Sequence, residues 1–334
     1  MRLWPHATVL LCCLLSIATV CFSQEKEPPV WPAPPQQARI QFLFSISSKA
    51  DLGIEKSFLR KAWDWLVGAD QQSGFLVKPL GIATDLSGRI YVTDPGAQRV
   101  HIFDRKNKRY ETLSETEHGQ LRSPVAVAIA ADGAVYVTDS ALREVAVFDE
   151  DGDAKFSIKG FFERPTGIVI YMNKLYVVDT ALNKVLVFSL DGTFLFEFGE
   201  RGTQPGEFNF PVFIGAGASL YLADAMNHRV QVLGDSGTAM TVFGEVGNVQ
   251  GTFANPKGIA VDTEGHIYVA DALFNAFQVF DRDGKLLLVV GGPGGRAGEF
   301  SMPSGLWIDE ENKVYVVDAL NRRVQVFQYL SEHR

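Results

Sequence analysis

The chain has 334 residues, with 31 Lys and Arg against 39 Asp and Glu and a formal net charge of −8. This length suffices for one large core or two domains. The acidic balance argues against a nucleic-acid partner, whose binding depends on neutralising phosphates. All three cysteines, Cys12, Cys13 and Cys21, fall within the first 23 residues. The rest of the chain therefore has no disulfide and no thiol nucleophile.

Residues 1–23 have the composition of a signal peptide. Arg2 supplies a positive start, residues 7–20 are apolar, and the segment ends in Cys21-Phe22-Ser23, with small residues where a signal peptidase reads them. The apolar run is short for a membrane span. We therefore predict a chain exported to the periplasm or beyond the cell. A lipoprotein with an acylated Cys21 is the alternative, although Val20 is bulky for the position before such a cysteine.

Two segments of different character follow. Residues 24–37 contain five prolines, a composition typical of an extended tether. Residues 38–48 contain the sequence RIQFLFSIS, which alternates and is rich in β-branched and aromatic side chains. It predicts a strand, but no turn and second strand follow it in the chain.

Residues 49–70 are predicted to form an amphipathic helix. At 100° per residue, one arc carries the apolar side chains Ile54, Phe58, Leu59, Ala62, Trp63, Trp65 and Leu66. Such a stripe packs against the rest of the fold, or docks a partner, or lies at a membrane interface over residues 54–67. Four basic and four acidic residues balance each other in this segment, which argues against strong attraction to anionic lipid.

Residues 75–330 repeat one pattern six times. Each unit opens at a proline, and these prolines, 41 to 47 residues apart, are Pro79, Pro124, Pro165, Pro211, Pro256 and Pro303. Each second strand reads Tyr-(Val/Leu)-x-Asp and ends at Asp94, Asp139, Asp179, Asp224, Asp271 or Asp318. A period near 45 residues without helices predicts four-stranded antiparallel propeller blades.

The last unit lacks a fourth strand, because the chain ends a few residues after RVQVFQYL. The unpaired strand of residues 38–48 can supply this missing fourth strand. We expect it to complete the last blade and close the ring, which removes exposed sheet edges without a disulfide. The predicted fold is all-β: a six-bladed propeller closed by an N-terminal strand, with one helix before the first blade.

These repeats resemble the NHL-repeat family of six-bladed β-propellers, in an exported bacterial form. The resemblance rests on Pro-x-Gly-Ile-Ala at residues 256–260, Asp-x-x-Asn-x-Arg-Val-Gln-Val-Phe at 318–327, and Gly-x-Phe-x-x-Pro at 298–303. It covers residues 78–327. The second and fifth units depart from it, with Val125-Ala126 and Asn275-Ala276-Phe277 at motif positions. The resemblance implies the fold and not a function, since propellers host many unrelated roles.

The six repeated aspartates invite a functional interpretation as a carboxylate array. A residue that recurs in every blade suits a structural role better, because catalysis requires unlike groups to converge. We interpret them as residues that hold the loops between second and third strands, through backbone N–H groups or a basic side chain five positions later.

The loops between second and third strands also carry apolar tips. These are Leu142, Leu182, Met226, Leu273, Phe274 and Leu320. Single exposed apolar side chains are common on any surface. Together, with a rim that includes Arg99, Arg229 and Arg323, they favour an apolar ring for a protein or peptide partner from the cell envelope. We expect a monomer without a cofactor.

An enzyme remains the alternative. The histidines outside the signal segment are His101, His118, His228, His266 and His333, and no two are closely spaced. They suggest no catalytic residue and no metal ligand by spacing, and the glycine run at residues 291–295 leads into a strand rather than a helix. A metal-dependent lyase or hydrolase would have to assemble its site from distant blades around the central channel.

Overall fold

The structure, a computed structural model, describes residues 27–54 and 74–331. The predicted signal peptide lies outside the described residues, and so do residues 55–73, which hold most of the predicted helix. Within the described ranges, no helix is long and apolar enough to cross a membrane. Six antiparallel sheets of at least four strands dominate the molecule, and they are numbered here as blades 1 to 6 in chain order.

The first three blades each take four consecutive strands, named inner, second, third and outer. Blade 1 consists of Ile82–Thr84, Ile90–Asp94, Arg99–Asp104 and Arg109–Leu113. Blade 2 consists of Pro124–Ile129, Val135–Asp139, Glu144–Phe148 and Ala154–Ile158. Blade 3 consists of Pro165–Tyr171, Lys174–Asp179, Lys184–Ser189 and Phe194–Phe198. A small hairpin, Glu115–Thr116 with Gly119–Gln120, lies between blades 1 and 2.

Blades 4 and 5 repeat this order, and blade 6 takes its outer strands from the N-terminus. Blade 4 consists of Pro211–Ala216, Leu220–Asp224, Arg229–Leu233 and Ala239–Phe243. Blade 5 consists of Pro256–Val261, Ile267–Asp271, Ala276–Phe280 and Leu286–Gly291. Blade 6 consists of Pro303–Ile308, Lys313–Asp318, Arg323–Tyr329, Ile40–Ile46 and Val30–Trp31.

The N-terminal strand closes the ring. Ile40–Ile46 pairs antiparallel with Arg323–Tyr329, so that Ile40 lies opposite Tyr329 and Ile46 opposite Val324. A register shift between Phe42 and Phe44 marks a bulge in this pairing. The third strand of blade 6, which would otherwise be an open edge, is thereby covered by the start of the same chain.

The tether prediction is wrong for part of residues 24–37. Val30–Trp31 forms a fifth strand on blade 6 by pairing with Ile40 and Gln41. The indole of Trp31 packs edge-on against Phe327, with 5.7 Å between ring centroids. A proline-rich composition predicts an extended backbone, but it does not show that one aromatic side chain packs against the fold. The area that Trp31 buries holds the segment in place.

The start of the predicted helix is only a short turn. Lys49–Leu52 forms a single 3-10 turn, capped by Ser48 and ended by Gly53 in the left-handed conformation. Residues 55–70 of the prediction lie outside the described part of the chain, so the helix itself stays a prediction.

Inner strands of neighbouring blades contact one another around the whole ring, and the inner strand of blade 6 contacts that of blade 1. The glycine of Pro-x-Gly permits this approach. A Cβ at Gly258 would lie 2.3 Å from the carbonyl oxygen of Ser304 in the next blade, and one at Gly305 would lie 2.4 Å from that of Leu80. The motif therefore encodes close packing at the centre of the propeller.

The core lies between blades rather than within one sheet. One cluster, for example, joins Tyr136 and Val147 of blade 2 to Val177 and Leu186 of blade 3. Both faces of the second and third strands are covered by neighbouring blades, which explains why these strands are nearly continuous apolar runs.

Candidate functional site

One face of the propeller is built from the loops that join second to third strands and the loops that enter the inner strands. The repeated aspartates lie beneath it, fully buried, and we call it the aspartate face. Asp139 shows the usual arrangement. One carboxylate oxygen accepts from the backbone N–H groups of Arg122 and Ser123, and the other accepts from those of Ala141 and Leu142, at 2.7–3.0 Å. Each aspartate of this kind ties two loops together.

Blades 4 and 6 use side chains for the same purpose. Asp224 accepts hydrogen bonds from Asn227, Arg229 and Gln231. The Arg229 guanidinium also donates to the backbone carbonyls of Thr203, Gln204 and Glu207 in the preceding loop. In blade 6, Arg323 bonds Asp318 and the carbonyls of Gly295, Arg296 and Glu299 in the same way.

This geometry corrects the predicted cationic rim. Arg229 is only 9% exposed. The guanidinium groups of Arg229 and Arg323 each donate hydrogen bonds to loop carbonyls and to one carboxylate, that of Asp224 or Asp318. They fix the loops and offer little charge to a partner. Arg99 remains at the surface, half-buried, and its Nε donates to the carbonyl of Ala97 rather than to Asp94.

In blade 1, His101 occupies the position that glutamine holds in blades 4, 5 and 6. Its Nδ1 lies 2.8 Å from the Tyr110 hydroxyl and its Nε2 lies 3.5 Å from Asp94. Burial alone would raise the pKa of Asp94. The contacts with His101 and the N–H groups of Val77 and Lys78 outweigh that effect, and the pKa of Asp94 lies below its usual range.

The predicted apolar tips divide into two groups. Met226, Leu273 and Leu320, on consecutive blades 4, 5 and 6, are 54%, 61% and 59% exposed. The remaining predicted tips, Leu142, Leu182 and Phe274, are half-buried. The exposed apolar ring is therefore concentrated on one half of the aspartate face.

Three further apolar residues on the same half were not predicted. Val246 and Val249 lie in the loop that enters blade 5, Met302 lies in the loop that enters blade 6, and all three are exposed. They do not occupy a fixed position of the repeat. An apolar side chain in a glycine-rich loop that enters an inner strand is the sequence signal that could have indicated them. We call the six residues Met226, Val246, Val249, Leu273, Met302 and Leu320 the apolar patch.

Hydrogen bonds between loops hold this region in place. The backbone N–H of Met302 donates to the side chain of Asn275 in the neighbouring blade at 2.9 Å. The amide groups of Asn227 and Asn321 donate to the carbonyls of Gly202 and Gly294. Loops that are fixed in this way present their apolar tips with little ordering cost on binding.

The inner strands surround a small central cavity whose lining side chains are apolar. A cavity of about 60 Å³ lies among the inner strands, lined by side chains such as Ile168, Phe213, Ile259 and Leu306. Across residues 27–54 and 74–331, no group of three or more His, Cys, Asp or Glu side chains has the arrangement needed to hold a metal ion.

Comparison with known proteins identifies the fold. A family model described as a 6-bladed beta-propeller matches residues 161–232 and 253–333. No curated protein sequence matches the chain. Together with the six observed blades, the family match defines the molecule as a six-bladed β-propeller.

Solved structures with this fold include enzymes and binding proteins. A virginiamycin B lyase from Staphylococcus aureus is 16% identical, with a TM-score of 0.56 over 76% of this chain and 95% of its own. A gluconolactonase from Xanthomonas campestris is 14% identical, with a TM-score of 0.59 over 76% and 87%. A chain of the nidogen/laminin complex is 20% identical, with a TM-score of 0.53 over 63% and 79%. Likenesses at this identity show the fold alone.

Proposed function

We propose that this propeller is a non-catalytic recognition module that binds another protein of the cell envelope through the apolar patch. The observation that carries the proposal is the concentration of six exposed apolar side chains on loops of blades 4 to 6. Apolar residues grouped on one surface are typical of protein–protein interaction sites. Arg229 and Arg323 support it, because their guanidinium groups donate hydrogen bonds to carbonyls of the loops that enter blades 4 and 6, on the same face as the patch.

The proposal includes the finer assignments made from the sequence. The repeat motifs favour an exported member of the NHL-repeat propellers, and the composition of residues 1–23 favours a signal peptide. Contact with a membrane, if the chain makes it, would come from residues 54–67 or from a lipid on Cys21. The lining of the central cavity has no ionisable side chain, which favours binding over an enzyme centred on the channel.

A matched pair of triple variants tests the proposal. The first changes Met226, Leu273 and Leu320 to Ser. The second changes Met172, Leu86 and Leu195 to Ser, which removes one methionine and two leucines that are exposed elsewhere on the propeller. Each variant is immobilised and exposed to detergent-solubilised envelope proteins from the source organism, and retained proteins are quantified against the unmodified chain.

The proposal predicts that a protein retained by the unmodified chain is lost with the first variant and kept with the second. Unfolding midpoints of the two variants serve as the control for folding. Equal retention by both variants would contradict the assignment of the partner to the apolar patch.

A further inference from the structure

A second site lies at the opposite end of the blades, away from the apolar patch. A cleft of about 560 Å³ opens between blades 5 and 6, and the N-terminal segment from Pro32 to Arg39 forms one of its walls. Glu264 and His266 reach it from the turn between the inner and second strands of blade 5, and Tyr329 reaches it from the end of blade 6. Its volume is in the range of small-molecule sites.

His266 gives the cleft an oriented hydrogen-bonding group. Its Nδ1 lies 2.8 Å from Asp262, whose carboxylate also accepts from the Tyr268 hydroxyl at 3.0 Å. Because a carboxylate only accepts, Nδ1 of the imidazole carries a proton, and in that neutral tautomer Nε2 is a hydrogen-bond acceptor. Blades 1 and 6 also have this turn aspartate but hold Arg89 and Lys313 four residues after it, so blade 5 is the one of these three blades with an imidazole at that position.

Tyr329 and Glu264 form the neighbouring polar wall. The Tyr329 hydroxyl donates to the Glu264 carboxylate at 3.0 Å, and its ring lies 5.6 Å from the His266 ring. Burial, with the hydrogen bond to Glu264, raises the pKa of Tyr329 to about 12. The phenol therefore stays neutral at physiological pH, and its oxygen can accept a further hydrogen bond.

The opposite wall is aliphatic. Leu287 and Leu288 of the outer strand of blade 5 line it together with Ile40 of the closing strand. The cleft thus combines planar polar groups, aromatic rings and an apolar surface. Its lining carries a positive charge at Arg39 and a negative charge at Glu264. Because the two signs are mixed, the electrostatic field of the cleft favours neither an anionic nor a cationic ligand.

We propose that this cleft binds a neutral saccharide. Sugar hydroxyl groups both donate and accept, which suits the imidazole Nε2, the Glu264 carboxylate, the Tyr329 hydroxyl and the side-chain amides of Gln36 and Gln37 in the lining. The C–H faces of a sugar ring suit the aliphatic wall. The site is separate from the apolar patch, so saccharide binding and partner binding can fail independently.

The test measures binding of three named probes, cellobiose, maltose and N,N′-diacetylchitobiose, to the purified full chain by calorimetric titration and ligand-detected NMR. The expected result is saturable binding of at least one disaccharide. His266→Ala should weaken that affinity tenfold or more. Leu287→Arg, an exposed position that leaves the Asp262 turn intact, should weaken it similarly by filling the cleft.

His118→Ala is the matched control, because His118 is exposed in the turn of the small hairpin between blades 1 and 2. It should bind like the unmodified chain. The proposal is overturned if none of the three probes binds at millimolar concentrations. It is also overturned if a probe binds and its affinity is the same in the unmodified chain, His266→Ala and Leu287→Arg.

Discussion

Replacing Ile46 by Ala should weaken the closure of the ring measurably. Ile46 is 1% exposed, lies in the N-terminal strand, and belongs to a core cluster with Val317 and Val324 of blade 6 and Ile82 of blade 1. Truncation of a buried Ile to Ala typically costs about 2–5 kcal/mol, from lost burial and the cavity left behind. Because this side chain joins two blades, we expect about 3 kcal/mol.

Leu43→Ala is the matched control within the same strand. Leu43 is 39% exposed and lies at the bulge in the pairing with blade 6. It removes a side chain of the same size, but the expected cost is below about 1 kcal/mol because the site is open to solvent.

Urea unfolding followed by tryptophan fluorescence gives the comparison. With a denaturant slope near 3 kcal/mol/M, typical of larger domains, 3 kcal/mol lowers the midpoint by about 1 M. The Leu43→Ala midpoint should move by a third of that or less. Equal midpoints for the two variants would refute the conclusion that Ile46 is part of a core that joins blade 6 to blade 1.

The remaining predictions concern the repeat and the channel. Asp224→Ala should cost about 3–5 kcal/mol in urea unfolding, because it leaves a buried guanidinium unpaired, whereas exposed Asp235→Ala should cost less than about 1 kcal/mol. The folded-state pKa of Asp94 lies below its ordinary value of 3.8. The ionised carboxylate therefore stabilises the fold above that pH, and this stabilisation is lost on acidification. The urea-unfolding midpoint of Asp94→Asn should fall less steeply between about pH 5 and pH 3 than that of the unmodified chain. Gly258→Ala should lower the unfolding midpoint, since its Cβ meets the next inner strand, whereas Gly292→Ala, with open space around it, should not. Elemental analysis of the purified protein should find no stoichiometric zinc or calcium; finding either would favour the enzyme alternative.

Much of the fold could be predicted from the sequence because each repeat contains local motifs that mark its strands and turns. The recurring Tyr-x-x-Asp sets the end of each second strand, and a missing fourth strand in the last unit points to the N-terminal segment as its partner. Backbone pairing with period-2 alternation is a strong signal when it recurs at a fixed spacing.

The parts that were not predicted depend on contacts between distant residues. A basic side chain five positions after Asp224 suggests an exposed charge, but only the folded loops show that Arg229 is surrounded by carbonyl groups. Trp31 finds its place against Phe327, almost 300 residues away in the chain. The cleft beside His266 likewise exists only because the two ends of the chain meet there.

The most direct test of the proposed function is site-specific photocrosslinking in the source organism. A photoreactive phenylalanine analogue at Leu273, in the apolar patch, is compared with the same analogue at Leu86, which is more exposed than Leu273 but lies in the turn between the inner and second strands of blade 1. Our account predicts a discrete crosslinked protein from position 273 and none from position 86. No adduct at position 273, or the same adduct from both positions, would contradict partner binding through the apolar patch.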